Sequence, residues 1–152
     1  MSPATYRILD AVADSFNPLL AIITLACPFL RKPRALRPAI LYYLSAAMAI
    51  GFVYLVRAVD AAQQIWGSFG LDFSTHSAFA ASLAVSMGAF RRSWIGPLAL
   101  VTVLYFLLEL IMRYHGLLDI LSSVAVAVPA ALVAHFVFAH ARRKDRSADA
   151  AD

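Results

Sequence analysis

Charge is scarce in this sequence. Only 14% of its 152 residues are Asp, Glu, Lys or Arg, whereas 62% are hydrophobic, and the mean hydropathy is +0.75. A soluble domain of this length cannot hide that much apolar surface, so the composition points to an integral membrane protein. Cysteine is nearly absent as well. Cys27 stands alone, which rules out an internal disulfide, and its apolar surroundings make it a small buried hydrophobe. No internal repeat and no low-complexity stretch interrupts the chain before its polar end. The N-terminus lacks a basic region, an apolar core and a small-residue cleavage site in that order, so no cleaved signal is expected.

What is present is a series of apolar runs. Phe16–Leu30, Ala39–Val56, Ser74–Phe90, Trp94–Met112 and Leu117–His140 follow one another, divided by short polar segments. A helix needs roughly 20 residues to cross the hydrocarbon, and the second, fourth and fifth runs meet that length. The first is interrupted by Asn17-Pro18 and preceded by Asp10 and Asp14, so residues 3–15 could instead lie on the membrane as an amphipathic helix. The third is short and rich in Ala and Ser, which suits a helix packed inside a bundle. The expected fold is all-α, a polytopic membrane helix bundle of about five transmembrane helices, with one domain over residues 1–141 and a disordered polar tail over 142–152.

Basic residues set the orientation. Ten of the thirteen Lys and Arg fall in the 31–37 loop, the 91–92 turn and the tail, leaving Arg7, Arg57 and Arg113 for the other side. The positive-inside rule makes the ten-residue side cytoplasmic. The pI near 9.6 then reflects topology and anionic lipid headgroups, and nucleic acid is not an expected partner. Protein partners are not specified. The expected location is a bacterial inner membrane, with the less basic side facing the periplasm.

That side collects the polar groups: Arg57, Asp60, Gln63, Gln64, Asp72, Ser74, Thr75, His76, Ser77, Glu109, Arg113, His115 and Asp119. Ionisable residues at membrane depth are costly and tend to be functional. His76 and His115 each open an apolar run, two crossings apart, so both imidazoles are expected in one pocket. His115 and Asp119 are four apart, where an aspartate on one ring nitrogen would fix the tautomer and free the other nitrogen to attack. The competing reading is an interfacial ion pair. Ser74 is a plausible N-cap, leaving Thr75 and His76 in a first turn whose free amides favour a phosphate. Glu109 and Arg113, also four apart, could form an ion pair. His76, His115, Asp119 and Asp72 could in principle ligate a metal, but their spacing matches no metal motif, and no metal or cofactor is expected. His135 and His140 read as snorkelling or capping residues at the cytoplasmic end, and Trp66 as an interfacial aromatic or the lining of a lipid entrance.

Phe73-Ser74-Thr75-His76 and His115-Gly116-Leu117-Leu118-Asp119 resemble two signatures of the type 2 phosphatidic acid phosphatase family, P-S-G-H and S-R-x5-H-x3-D. The resemblance covers roughly residues 50–125. It implies a metal-independent phosphoric monoester hydrolase acting on a lipid phosphate through a phosphohistidine. By it, His115 is the nucleophile, Asp119 orients it, and His76 protonates the leaving oxygen. Ser74, Thr75, Arg113 and Arg57 are the expected phosphate ligands. The sequence departs from the family at several places. Phe73 and Thr75 stand where P-S-G-H has Pro and Gly. Arg37-Pro38 fits the end of the first signature, K-x6-R-P, but lies on the cytoplasmic side, and Glu109 stands where the third signature has Arg. Arg57, where the first basic residue is better sought, is followed seven residues on by Gln64 with no Arg-Pro. Candidate substrates are phosphatidic acid, phosphatidylglycerophosphate, polyprenyl phosphate or a phosphorylated glycolipid. The alternatives are a lipid-to-lipid phosphotransferase and a non-catalytic protein that binds anionic lipid or a partner.

Overall fold

A computed structural model describes residues 2–30 and 36–148, with side chains to Phe138. Five helices follow in order: α1 (Pro3–Ala26), α2 (Leu36–Gln63), α3 (Thr75–Phe90), α4 (Ile95–Met112) and α5 (Leu117–Ala148). No strand occurs among the described residues. Four stretches, Pro3–Leu30, Leu36–Gln63, Arg92–Met112 and Leu117–Phe138, are long and apolar enough to cross a membrane. Large side chains such as Leu100 and Ile111 are exposed on the outside of α4, where only lipid would tolerate them. The chain is an all-α polytopic bundle and an integral membrane protein.

The short helix is the central one. α3 packs against α1, α2, α4 and α5, and nine of its sixteen residues are buried, among them Ala78, Ala80, Ala81, Ser82, Ser86 and Gly88. Lipid is as apolar as leucine, so helix association in a membrane depends on close packing, and small side chains let four neighbours approach one axis. Its polar hydroxyls are partly absorbed locally, as where Ser86 donates to the Ser82 carbonyl at 2.8 Å. Ala80 is 0% exposed. Ala80→Leu should therefore lower stability by about 1–3 kcal/mol through overpacking, measured by thermal unfolding in detergent, while an exposed change such as Leu100→Ala should cost less.

α1 is one continuous helix through Asn17-Pro18. Ser2 caps it by accepting from the Thr5 amide at 3.1 Å, and Pro3 occupies the first turn, where its missing N–H is no loss. Pro18 lies inside without ending it. Ala13, Leu20 and Thr24 form its buried face, and Phe16 stacks on Tyr105 of α4 with ring centres 4.1 Å apart.

Two further boundaries differ from expectation. α2 runs on to Gln63, past the predicted end at Val56, and stops at Gln64 in a left-handed conformation (φ 52°). The extra turns carry Arg57 and Asp60 beyond the apolar span. α5 continues to Ala148, beyond Arg142 where the sequence predicts a disordered tail; Ala141-Arg142-Arg143-Lys144 are strong helix formers. Residues 149–152 of that tail lie outside the described ones.

Candidate functional site

At one end of the bundle the α2–α3 and α4–α5 connections meet. Asp119, in the first turn of α5, ties them together. Its Oδ2 accepts the Gly116 amide at 2.7 Å and its Oδ1 accepts the Asp72 amide at 2.8 Å. The carboxylate thus caps its own helix and holds the opposite loop. A second tie runs from the Ser74 amide to Ser123 Oγ at 2.8 Å. Trp66 makes a third, donating from Nε1 to Ser122 Oγ at 2.9 Å and packing edge-on against Phe73. Trp66 is an anchor of this loop and does not line an open entrance.

Asp119 therefore does not orient His115. Both its oxygens serve backbone amides, and the group facing His115 is Asp72, with Oδ2 3.5 Å from Nδ1. His115 is largely covered, its side chain 13% exposed, whereas that of Asp72 is 62% exposed. The Asp72 carboxylate thus stands beside Nδ1 without a hydrogen bond between them. Asp72 also lies 3.9 Å from Arg57, which in turn is 3.7 Å from Asp60. Asp60 is buried and accepts the Trp66 amide at 2.8 Å. The expected phosphate ligand Arg57 is accordingly shared between two carboxylates, on an outward face that is about half exposed.

His76 occupies a different recess. It is exposed in the first turn of α3 and lines a cavity of about 210 Å³ with Ala13, Asp14, Asn17, Pro18, Tyr105 and Tyr114, a lining that does not include His115. Asn17 Nδ2 donates to the His76 carbonyl and to the Tyr105 hydroxyl, each at 3.3 Å. The two imidazoles thus share one end of the bundle but not one pocket. Docking of α1 against α3 and α4 creates the His76 recess, which Tyr114 also lines. Tyr114 donates its hydroxyl to Asp10, and that bond raises its pKa above the ordinary phenol range.

Beneath both recesses lies a directed chain of hydrogen bonds. Ser74 Oγ donates to Ser77 Oγ at 2.9 Å, and Ser77 Oγ donates to Glu109 Oε2. Ser74, Ser77 and Glu109 are each 0% exposed. Ser74 does cap α3, accepting from the Ser77 amide at 3.3 Å, but its proton is spent inward, so its hydroxyl cannot hold a phosphate as the sequence suggests. Thr75 stays half-buried in the first turn. Arg113 does not pair with Glu109: it sits past the end of α4 with φ 58°, exposed, while Glu109 points into the core. Of the expected phosphate ligands, Arg113 is exposed, while the Ser74 and Ser77 amides are already bound by Ser123 Oγ and Ser74 Oγ.

His135 neither snorkels nor caps; it lies within α5 with Nδ1 2.8 Å from Ser45 Oγ of α2. His140 is outside the described side chains. Among the described residues, no three His, Cys, Asp or Glu side chains converge as a metal site would require. The sequence places Asp60 and Asp72 at the rim or paired with Arg57, as found. Sequence reasoning missed the approach of Asp72 to His115 and the roles of Ser77, Asn17 and Tyr105. Only Ser77, three residues after the cap Ser74, carried a signal, since that spacing puts both hydroxyls on one helix face.

Compared with protein-family models, curated proteins and solved structures, the chain matches none.

Proposed function

We propose that this protein is a membrane-embedded lipid phosphatase that acts through His115 on a lipid phosphate monoester. The observation that supports this reading best is the Asp119 carboxylate joining the His115 turn to the loop that leads into Ser74-Thr75-His76. Two short motifs far apart in sequence are thereby held at one end of the bundle, in the order and at the helix starts that the phosphatase resemblance requires.

In the proposed reaction, His115 Nε2 attacks phosphorus while the bond to the lipid oxygen breaks. Asp72 balances the positive charge on the ring. The departing alkoxide takes its proton from solvent water, because His76 lines a recess that does not include His115. Water then attacks phosphorus, the N–P bond breaks, and inorganic phosphate leaves with His115 restored. Arg113 and the free amides at the start of α3 stabilise the equatorial oxygens, since phosphoryl transfer is mostly positioning and charge stabilisation. A lipid alcohol in place of water would make the same enzyme a phosphotransferase.

One observation favours a second reading, a non-catalytic protein that binds anionic lipid: Arg57 already faces Asp60 and Asp72, and Glu109 replaces a cation. A panel of detergent-solubilised lipid phosphates, assayed for phosphate release with and without chelator, separates the two. The phosphatase reading expects release from at least one lipid, unchanged by chelator. No release from any lipid, with anionic lipid still retained, supports the second reading.

The site is proposed to face the periplasm of a bacterial inner membrane, because the basic residues concentrate at the opposite end. In intact cells, an impermeant thiol reagent should label a Phe69→Cys variant and spare Ser93→Cys. Cys27, 2% exposed, gives a silent background. The reverse pattern would invert the orientation.

A further inference from the structure

A second cavity, larger than the His76 recess, lies away from the histidine end. A crevice of about 790 Å³ opens at the basic end, between Ala99, Thr102 and Phe106 of α4 and Val128 and His135 of α5, with small residues of α3 as its floor. Ala81, Ala84 and Gly88 leave this volume where larger side chains would fill it. Its size lies within the range of about 300–1,000 Å³ typical of small-molecule sites. Both walls belong to stretches apolar enough to span a membrane, so the medium beside it is lipid.

Three polar groups line this apolar crevice, two of them without a hydrogen-bond partner among the described residues. Thr102 is 6% exposed, and its hydroxyl has no hydrogen-bond partner. His135 is more specific. Ser45 Oγ donates to the Tyr42 carbonyl at 2.8 Å, so at its 2.8 Å contact with His135 Nδ1 it acts as acceptor. Nδ1 therefore carries the proton, and Nε2 is a bare acceptor, buried and without a partner. A group that satisfies it must donate. The third feature is Arg92, an exposed cation that contributes to the lining at the end where headgroups lie.

We infer that this crevice binds one anionic glycerophospholipid bearing a free headgroup hydroxyl, its acyl chain between α4 and α5, its phosphate at Arg92 and its hydroxyl donating to His135 Nε2. An apolar slot, a cation at its mouth and an acceptor that needs a proton together select this chemistry. Phosphatidylcholine offers no hydroxyl and no net charge, and phosphatidic acid offers charge without a headgroup alcohol. The site is separate from the proposed catalytic end: Thr102 precedes Glu109 by seven residues, roughly 10 Å along the helix.

The test is native mass spectrometry of the delipidated full-length protein, titrated with phosphatidylglycerol, phosphatidic acid and phosphatidylcholine of identical chains. Phosphatidylglycerol should bind most tightly and phosphatidylcholine least. Arg92→Gln should weaken both anionic lipids about five-fold and leave phosphatidylcholine unchanged. His135→Phe should weaken phosphatidylglycerol alone, by about five-fold. Ala99→Trp should fill the slot and abolish the preference. Equal retention of all three lipids by the native protein, or undiminished phosphatidylglycerol binding by Arg92→Gln, overturns the assignment. Arg92 is exposed, so its variant remains informative should Ala99→Trp fail to fold.

Discussion

His115→Ala is expected to reduce phosphate release roughly 10⁴-fold or more, to the background of the detergent-solubilised lipid alone. Among the described residues, His115 is the imidazole at this end with a carboxylate 3.5 Å from one ring nitrogen. The informative comparison is between its two aspartates. Asp72→Asn removes the charge that faces the ring, so turnover should fall on the order of 10²–10³-fold with little change in unfolding temperature, because that side chain is 62% exposed. Asp119→Asn should do the opposite. Its amide can accept one of the two backbone N–H groups now bound by the carboxylate, so a loop tie is lost and stability falls, while turnover falls less than in Asp72→Asn. If Asp119→Asn proves the more damaging to turnover, the role read from the H-x3-D spacing is correct and the Asp72 contact is incidental. Unchanged rates in His115→Ala discard the mechanism.

The second large effect is expected at Glu109. This carboxylate is 0% exposed and receives the Ser77 hydroxyl. Glu109→Ala should destabilise the protein by about 3 kcal/mol, since it leaves a cavity and strips a buried donor of its acceptor. Glu109→Gln keeps the volume and an acceptor oxygen for Ser77, so it should cost about 1 kcal/mol. Denaturant or thermal unfolding in micelles, compared with Ser77→Ala, measures both. The chain of bonds ends at Ser74, the cap of α3, and so Glu109→Ala should also loosen the turn carrying His76. Equal stability of Glu109→Ala and the native protein would show that the chain contributes nothing to holding that turn.

The position of Glu109 also explains why part of the site could not be read from the sequence. By spacing it stands where the phosphatase signature has an arginine, and its natural sequence partner is Arg113, four residues on. The helix ends between them, Arg113 turns left-handed, and the two side chains part. Asp72 illustrates the same limit. Nothing in its local sequence indicates His115, 43 residues later; the contact exists because Asp119 pins the Asp72 amide. His76 and His115 show a third case: both open helices at one end, as their positions predict, but the recess that α1 forms with α3 and α4 takes in His76 and not His115.

Sequence alone determined the membrane-embedded all-α architecture, the five helices, the interior place of the Ala- and Ser-rich α3, and the gathering of both histidines at the less basic end. These depend on hydropathy and side-chain size, which act through lengths of about 20 residues and survive local error. Tertiary structure decided which carboxylate meets which imidazole, whether a serine hydroxyl points outward, and where a crevice opens. Those are matters of a few ångströms between residues remote in the chain. They are set by how loops are pinned and helices end, and periodicity carries no record of them.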